Sequence, residues 1–197
     1  MMTGTRAKLV AAGAVLFAAL AAYSSRRPPP RLAGPVDFSS PQVGSAALRG
    51  RPWVADFVFT SCTGPCPMLS ANMARLQKRL PAEVRLVSFT VDPDHDDAQA
   101  LADYALRFGA EPGRWFFARL EAGPLFELVN AGFRLPIYVD PKAPRGSRVI
   151  HTTKLVLLDG LGTVRGYYDG LTEAGLRALE RDARALLSPT GARRPDV

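Results

Sequence analysis

From Trp53 to Phe59 every position is apolar except Asp56, and so dense a run of aromatic and β-branched residues predicts a strand. The run breaks at Thr60-Ser-Cys-Thr-Gly-Pro65. Beyond it Leu69, Met73, Leu76 and Leu80 recur at helical spacing, so a helix is expected over 67–80, with Pro81 stopping it. Val84 to Val91 is a second, almost continuously apolar run, the pattern of a strand buried on both faces of a sheet. Asp92-Pro-Asp-His-Asp-Asp97 follows as a turn whose acids can cap a helix carrying Leu101, Tyr104, Ala105 and Phe108 on one face and ending at Gly109. Trp115 to Leu120 reads as a short strand, 124–133 as a short helix, and 134–148, with Pro136, Pro141 and Pro144, as a loop or insertion. Val149 to Leu158 and Thr163 to Tyr168 flank Asp159-Gly-Leu-Gly162, a strong hairpin signal. Thr172 opens a last helix with Leu176, Leu179, Ala183, Leu186 and Leu187 as its stripe. Alternating strands and helices that end in a hairpin and a helix predict an α/β fold, a mixed central sheet flanked by helices.

The flanks differ from this body. Arg6 and Lys8 precede an uncharged apolar run from Leu9 to Tyr23, then Arg26 and Arg27, which describes either a secretory signal peptide or a short membrane anchor. Export is implied by both. Fifteen residues at about 1.5 Å each are short for a hydrocarbon core roughly 30 Å thick, and Ala19-Leu-Ala21 offers a small-x-small cleavage pattern; flanking arginines that snorkel favour a span instead. Pro28 to Ser40 holds four prolines and reads as an extended linker. The expected organisation is an anchor or signal segment over 1–25, a linker over 26–40, one domain over 41–188 and a flexible tail over 189–197.

Composition narrows the function. The chain of 197 residues is 47% hydrophobic and 22% charged, enough for a proper core. Its net charge of +7 falls to +5 without residues 1–25, and Arg26, Arg27, Arg31, Arg193 and Arg194 lie in the flanks. The body is near neutral, with no basic stripe interleaved with aromatics, so nucleic acid is not an expected partner.

Two cysteines cannot make a disulfide scaffold. Cys62 and Cys66 stand four apart at the strand–helix junction, where a helix amino terminus favours thiolates. So spaced, they can close a disulfide or together grip a soft metal ion. A five-residue ring would constrain little unfolded-chain entropy, which argues against a purely stabilising link. Any imidazole ligand must come from His95, in an acidic turn, or His151, at the head of an apolar strand whose edge can reach the cysteine loop.

Cys62-Thr-Gly-Pro-Cys66-Pro67 after an apolar strand, Val91-Asp92-Pro93-Asp-His-Asp96 after the next, and His151 ahead of Lys154-Leu-Val-Leu-Leu-Asp159 together resemble the Sco/SenC family over roughly residues 35–188. The resemblance implies a thioredoxin-like fold and a copper metallochaperone, not an enzyme, that serves assembly of the copper centre of cytochrome c oxidase. It implies copper, Cu(I) or Cu(II), held by Cys62, Cys66 and His151, with Cys62 and Cys66 also forming a redox disulfide. Asp92 and Asp96 match the family's turn beside the site, with helix capping as the alternative. The implied partners are the copper-bearing oxidase subunit and another copper chaperone or a thioredoxin-like reductant. The implied location is the bacterial inner membrane facing the periplasm, anchored by the amino-terminal segment, or an exported one if that segment is cleaved.

The rival reading is a periplasmic thiol-disulfide oxidoreductase. Gly64-Pro65-Cys66 repeats the end of the thioredoxin redox loop with one residue added, and Asp56, six residues before Cys62, resembles the buried proton acceptor of thioredoxins. The alternative for Asp56 is a polar residue on a sheet face or edge. His151-Thr-Thr153 stands where thioredoxins place a cis-proline, which weakens the rival.

Overall fold

The computed structural model describes residues 28–139, 142, 149–150 and 152–188. In chain order these form β1 (Ala33–Pro35), α1 (Ser45–Leu48), β2 (Trp53–Val58), α2 (Cys66–Arg79), β3 (Arg85–Thr90), α3 (Ala98–Arg107), β4 (Trp115–Ala118) and α4 (Ala122–Glu127). There follow a π-helical turn (Leu128–Gly132), β5 (Tyr138–Val139), β6 (Val149–Ile150), β7 (Lys154–Leu158), β8 (Thr163–Asp169) and α5 (Glu173–Leu187).

Six strands make the central sheet in the order β1-β8-β7-β2-β3-β4. β2, β3 and β4 are parallel, whereas β7 pairs antiparallel with β2, β8 with β7 and β1 with β8. The sheet is therefore mixed, as expected, and β2 lies at its centre with all six residues buried.

Alternation along the strands sorts two cores. On one face Phe38, Trp53, Phe57, Phe89 and Phe133 pack ring to ring with centroids 4.9–6.2 Å apart. Burial of each such ring is worth about 1.5–3 kcal/mol before any pairing term. On the other face the intervening residues of β2, β3 and β4 meet α2 and α3. Trp115 and Phe117 stack at 5.1 Å, and Phe117 meets Tyr104 of α3 at 5.9 Å. Tyr104 in turn shares a hydrogen bond of 3.0 Å with Ser70 of α2.

Several expectations need correction. The linker over 26–40 is not free of the domain: Ala33–Pro35 adds an edge strand to β8, Leu32 N–H donates to the Val164 carbonyl, and the Arg165 guanidinium donates to the Pro29 carbonyl. Prolines fit here because an edge strand has one side without ladder partners. The strand expected over 149–158 is two strands. Val149–Ile150 pairs with Tyr138–Val139 in a separate ribbon, and only Lys154–Leu158 enters the central sheet. The ribbon also puts a strand, Tyr138–Val139, inside the span read as a loop. The helix expected over 124–133 changes to a π turn after Glu127, and the chain leaves that turn through Arg134 at φ 52°.

Hairpin and terminal helix stand as expected, with Thr172 capping α5 through Gly175 N–H at 3.2 Å. Residues 1–25 and the tail from 189, like His151, lie outside the described residues. Among the described residues no helix is long and apolar enough to cross a membrane.

Candidate metal centre

The carboxyl ends of parallel strands β2, β3 and β4 share one edge of the sheet, where open α/β sheets bind ligands. The loop from Thr60 to Pro65 leaves β2 at that edge and turns directly into α2. Its turn is closed by Cys62 N–H donating to the Phe59 carbonyl at 3.2 Å. Cys66 is the first residue of α2, Pro67 occupies the position where a missing N–H costs nothing, and Pro65 is the cap without a side-chain bond. Only Cys66 is therefore helical; Cys62 stands in the preceding turn, half-buried, while Cys66 is fully buried. The two are not joined by a disulfide, and the Cys66 thiol hydrogen-bonds to Cys62.

Electrostatics at Cys66 differ from the sequence expectation. The helix terminus favours a thiolate, yet burial pushes the Cys66 thiol far up, and the hydrogen bond to Cys62 and the nearby Asp56 charge push the same way. A backbone hydrogen bond from Phe59 opposes them without prevailing. Desolvation outweighs the helix dipole here. A metal ion taking Cys66 as a ligand would displace a proton.

Asp56 is fully buried in central strand β2, which rules out the edge alternative. It is in register with Ser88 of β3. The Ser88 hydroxyl donates to Asp56 Oδ1 at 2.5 Å and accepts from Trp115 Nε1 at 2.9 Å. This network lies behind the cysteines, on the face that carries α2. Burial also pushes the Tyr104 hydroxyl up.

Capping of α3 falls to Asp97, whose carboxylate accepts from Ala100 N–H at 2.8 Å. That removes the capping alternative for Asp92 and Asp96. Asp92 Oδ1 lies 2.7 Å from His95 Nδ1 at the protein surface. Asp96 is wholly buried and binds Thr60 and Thr90. His151 lies outside the described residues, and Thr152 and Thr153 directly after it are described. Thr153 accepts from Gly170 N–H at 3.1 Å beside Leu69 of α2. Among the described residues no three or more His, Cys, Asp or Glu side chains converge as a metal cluster.

Reading the sequence missed the Ser88–Trp115 and Ser70–Tyr104 bonds. A signal was present for the first: Ser88 and Thr90 interrupt an apolar strand at a spacing of two, which puts both on one face.

Comparison with known proteins agrees with this geometry. A family model described as SCO1/SenC matches residues 35–184. A SCO1 protein homolog of Bacillus subtilis is 34% identical over 134 residues, 66% of this chain and 67% of its own length. A putative copper-binding protein of Stutzerimonas stutzeri is 29% identical over 136 residues, 67% of this chain and 65% of its own. Among solved structures, a SCO1/SenC family lipoprotein from Bacillus anthracis superposes with a TM-score of 0.67 at 30% identity, covering 77% of this chain and 95% of that one. BsSco, described as a cytochrome c oxidase assembly protein with a disulfide switch, superposes at 0.63 and 27% identity over 80% of this chain and 99% of its own. The family match spans the sheet, the cysteine loop and both flanking helices, on a thioredoxin-like fold, and the chain belongs to the SCO1/SenC family.

Proposed function

We propose that this protein is a copper metallochaperone that carries the ion on Cys62, Cys66 and His151 and delivers it to the copper centre of cytochrome c oxidase during assembly. The observation that carries this reading is the pair of hydrogen-bonded thiols at the carboxyl edge of the sheet, one half-exposed and one buried. Two thiolates select Cu(I), and an added imidazole gives a low-coordinate site that also accommodates Cu(II). The names of the relatives, a copper-binding protein and an oxidase assembly protein, point the same way.

The unequal exposure of the cysteines supports different parts for them. Cys62 is the ligand a partner's thiolate reaches first, and Cys66 the one released last. Delivery is then ligand exchange at Cys62 rather than release of a free ion. Residues 1–25 serve as the tether to the inner membrane, with the domain on the periplasmic side. Asp92, Asp96 and Asp56 act behind the ligands.

The test is transfer. The copper-loaded protein is mixed with the soluble copper-bearing domain of an oxidase subunit, and the metal content of each is measured after separation. Copper is expected on the acceptor, with none transferred from protein carrying Cys62→Ser. Copper that stays on the donor, or reaches the acceptor equally fast from free Cu(I), contradicts delivery.

Thiol–disulfide exchange remains as a second reading because the same thiol pair is backed by a buried carboxylate, Asp56, and BsSco carries a disulfide switch. Among the described residues there is no cis peptide bond. Turnover in insulin reduction comparable to a thioredoxin, without copper retention on desalting, favours that reading over delivery.

A further inference from the structure

The carboxylate of Asp96 sits 36 residues away from the loop it holds. It is fully buried, and among the described residues its two oxygens take donors from Thr60 and Thr90. Oδ1 accepts from the Thr60 hydroxyl at 2.6 Å, and Oδ2 accepts from Thr60 N–H at 3.1 Å and from the Thr90 hydroxyl at 2.5 Å. Thr60 is the second residue beyond β2, two residues before Cys62. The N–H and the hydroxyl of Thr60 are therefore both bound by one carboxylate.

The turn that presents Asp96 is itself braced. Asp96 N–H donates to the Asp92 carbonyl at 3.0 Å, and Asp92 N–H donates to the Thr90 hydroxyl at 3.1 Å. From outside, Arg119 Nε donates to the Pro93 carbonyl at 2.9 Å. Within the cysteine loop the buried Ser61 hydroxyl finds no hydrogen-bond partner among the described residues. Burying a charge is costly and an apolar contact would hold the two loops together at least as well, so the return on this arrangement is a fixed geometry rather than stability.

We infer that Asp96 is a positioning residue for the metal site, fixing the start of the cysteine loop through Thr60 so that Cys62 is held against Cys66. This deepens the copper reading and rests on it for the identity of the cargo. Outer-shell groups that orient ligands are typically worth about 10-fold to 100-fold in metal affinity.

The experiment compares wild type with Asp96→Asn, Thr60→Val, Thr60→Ser and, as control, Asp97→Ala, which removes the α3 cap and leaves the Thr60 contacts alone. Two readouts are taken on each folded protein. One is the rate at which Cu(I) is lost to a chelator. The other, which needs no metal, is the equilibrium with glutathione, in which two protein thiols and one glutathione disulfide give one protein disulfide and two reduced glutathiones.

Asp96→Asn and Thr60→Val are expected to speed copper loss about 10-fold or more and to shift the glutathione equilibrium by about threefold or more. Thr60→Ser, which keeps the hydroxyl, is expected to restore wild-type values, and Asp97→Ala to match wild type in both. The inference is overturned if Asp96→Asn and Thr60→Val behave as Asp97→Ala does, less stable but unchanged in both readouts. If Asp96→Asn does not fold, the contrast between Thr60→Val and Thr60→Ser decides alone. If wild type holds no copper, the function proposed above fails, and the glutathione equilibrium still decides the role of Asp96.

Discussion

Raising the pH of the reduced, metal-free protein tests the burial of Cys66 directly. The thiol titrates from 9.0 in an exposed chain and is pushed well above that value in the fold, chiefly by burial. A group raised on folding contributes stability that is present below its unfolded value and is lost as pH climbs past it. Above pH 9 the unfolded chain gives up this proton while the folded chain keeps it, so unfolding gains. For one such group the loss between pH 8 and pH 10 is about 1.4 kcal/mol, approaching the limiting slope of about 1.4 kcal/mol per pH unit. Tyr104 and Tyr168 are also raised by burial, from 10.0, and add slope above pH 10. They are present in wild type and in Cys66→Ala alike, so they cancel in the difference. Urea unfolding at pH 8, 9 and 10 under a non-thiol reductant gives that difference. Cys66→Ala is expected to be less stable at pH 8, with the gap closing by about 1.4 kcal/mol at pH 10. Parallel stability curves would refute the claim that Cys66 is desolvated in the reduced fold.

Three further outcomes follow from packing and hydrogen bonding. Ser88→Ala removes the donor to Asp56 and the acceptor of Trp115 Nε1; a loss of about 1–3 kcal/mol is expected in denaturant unfolding, and a change under about 0.5 kcal/mol contradicts it. A Cβ on Gly170 would sit 2.3 Å from Leu69 Cδ1 and 2.7 Å from the Thr153 carbonyl. Gly170→Ala is therefore expected to cost about 1–3 kcal/mol and to weaken copper retention, since α2 and the segment after His151 must separate; unchanged melting and retention speak against it. Arg165 pairs with Asp159 at 2.9 Å, both side chains little exposed to solvent, and donates to the Pro29 carbonyl. Arg165→Ala is expected to open the amino-terminal edge, read as faster limited proteolysis before Ala33 and faster hydrogen exchange at Leu32; unchanged cleavage contradicts the clamp.

Much of the fold was legible because its signals are local. The apolar runs that became β2 and β3, the stripe of α2, Gly109 after α3 and the Asp159–Gly162 turn each follow from residues within one element. What was not legible depends on contacts between distant segments. No local pattern says that Ala33–Pro35 will pair with Thr163 and Val164 rather than remain a linker. Val149–Ile150 and Lys154–Leu158 look like one strand because apolar character carries no mark of which neighbour each half will pair with.

At the site, the cysteine pair was legible from spacing and position. Its electrostatics were not, because the helix dipole can be read from sequence whereas the depth of Cys66 cannot. The roles of the acids were divided by geometry alone: three carboxylates of one turn, Asp92, Asp96 and Asp97, face a histidine, the cysteine loop and a helix end respectively.

The central claim is that one copper ion needs both thiols and the imidazole. It is tested most directly by titrating the reduced protein spanning residues 28–197 with Cu(I) against a competing chelator, beside Cys62→Ser, Cys66→Ser and His151→Ala. One tightly held ion per wild-type chain is expected, with each variant weaker by more than about 10-fold, the least that outer-shell changes alone produce. A His151→Ala protein that holds copper as tightly as wild type contradicts the three-ligand site.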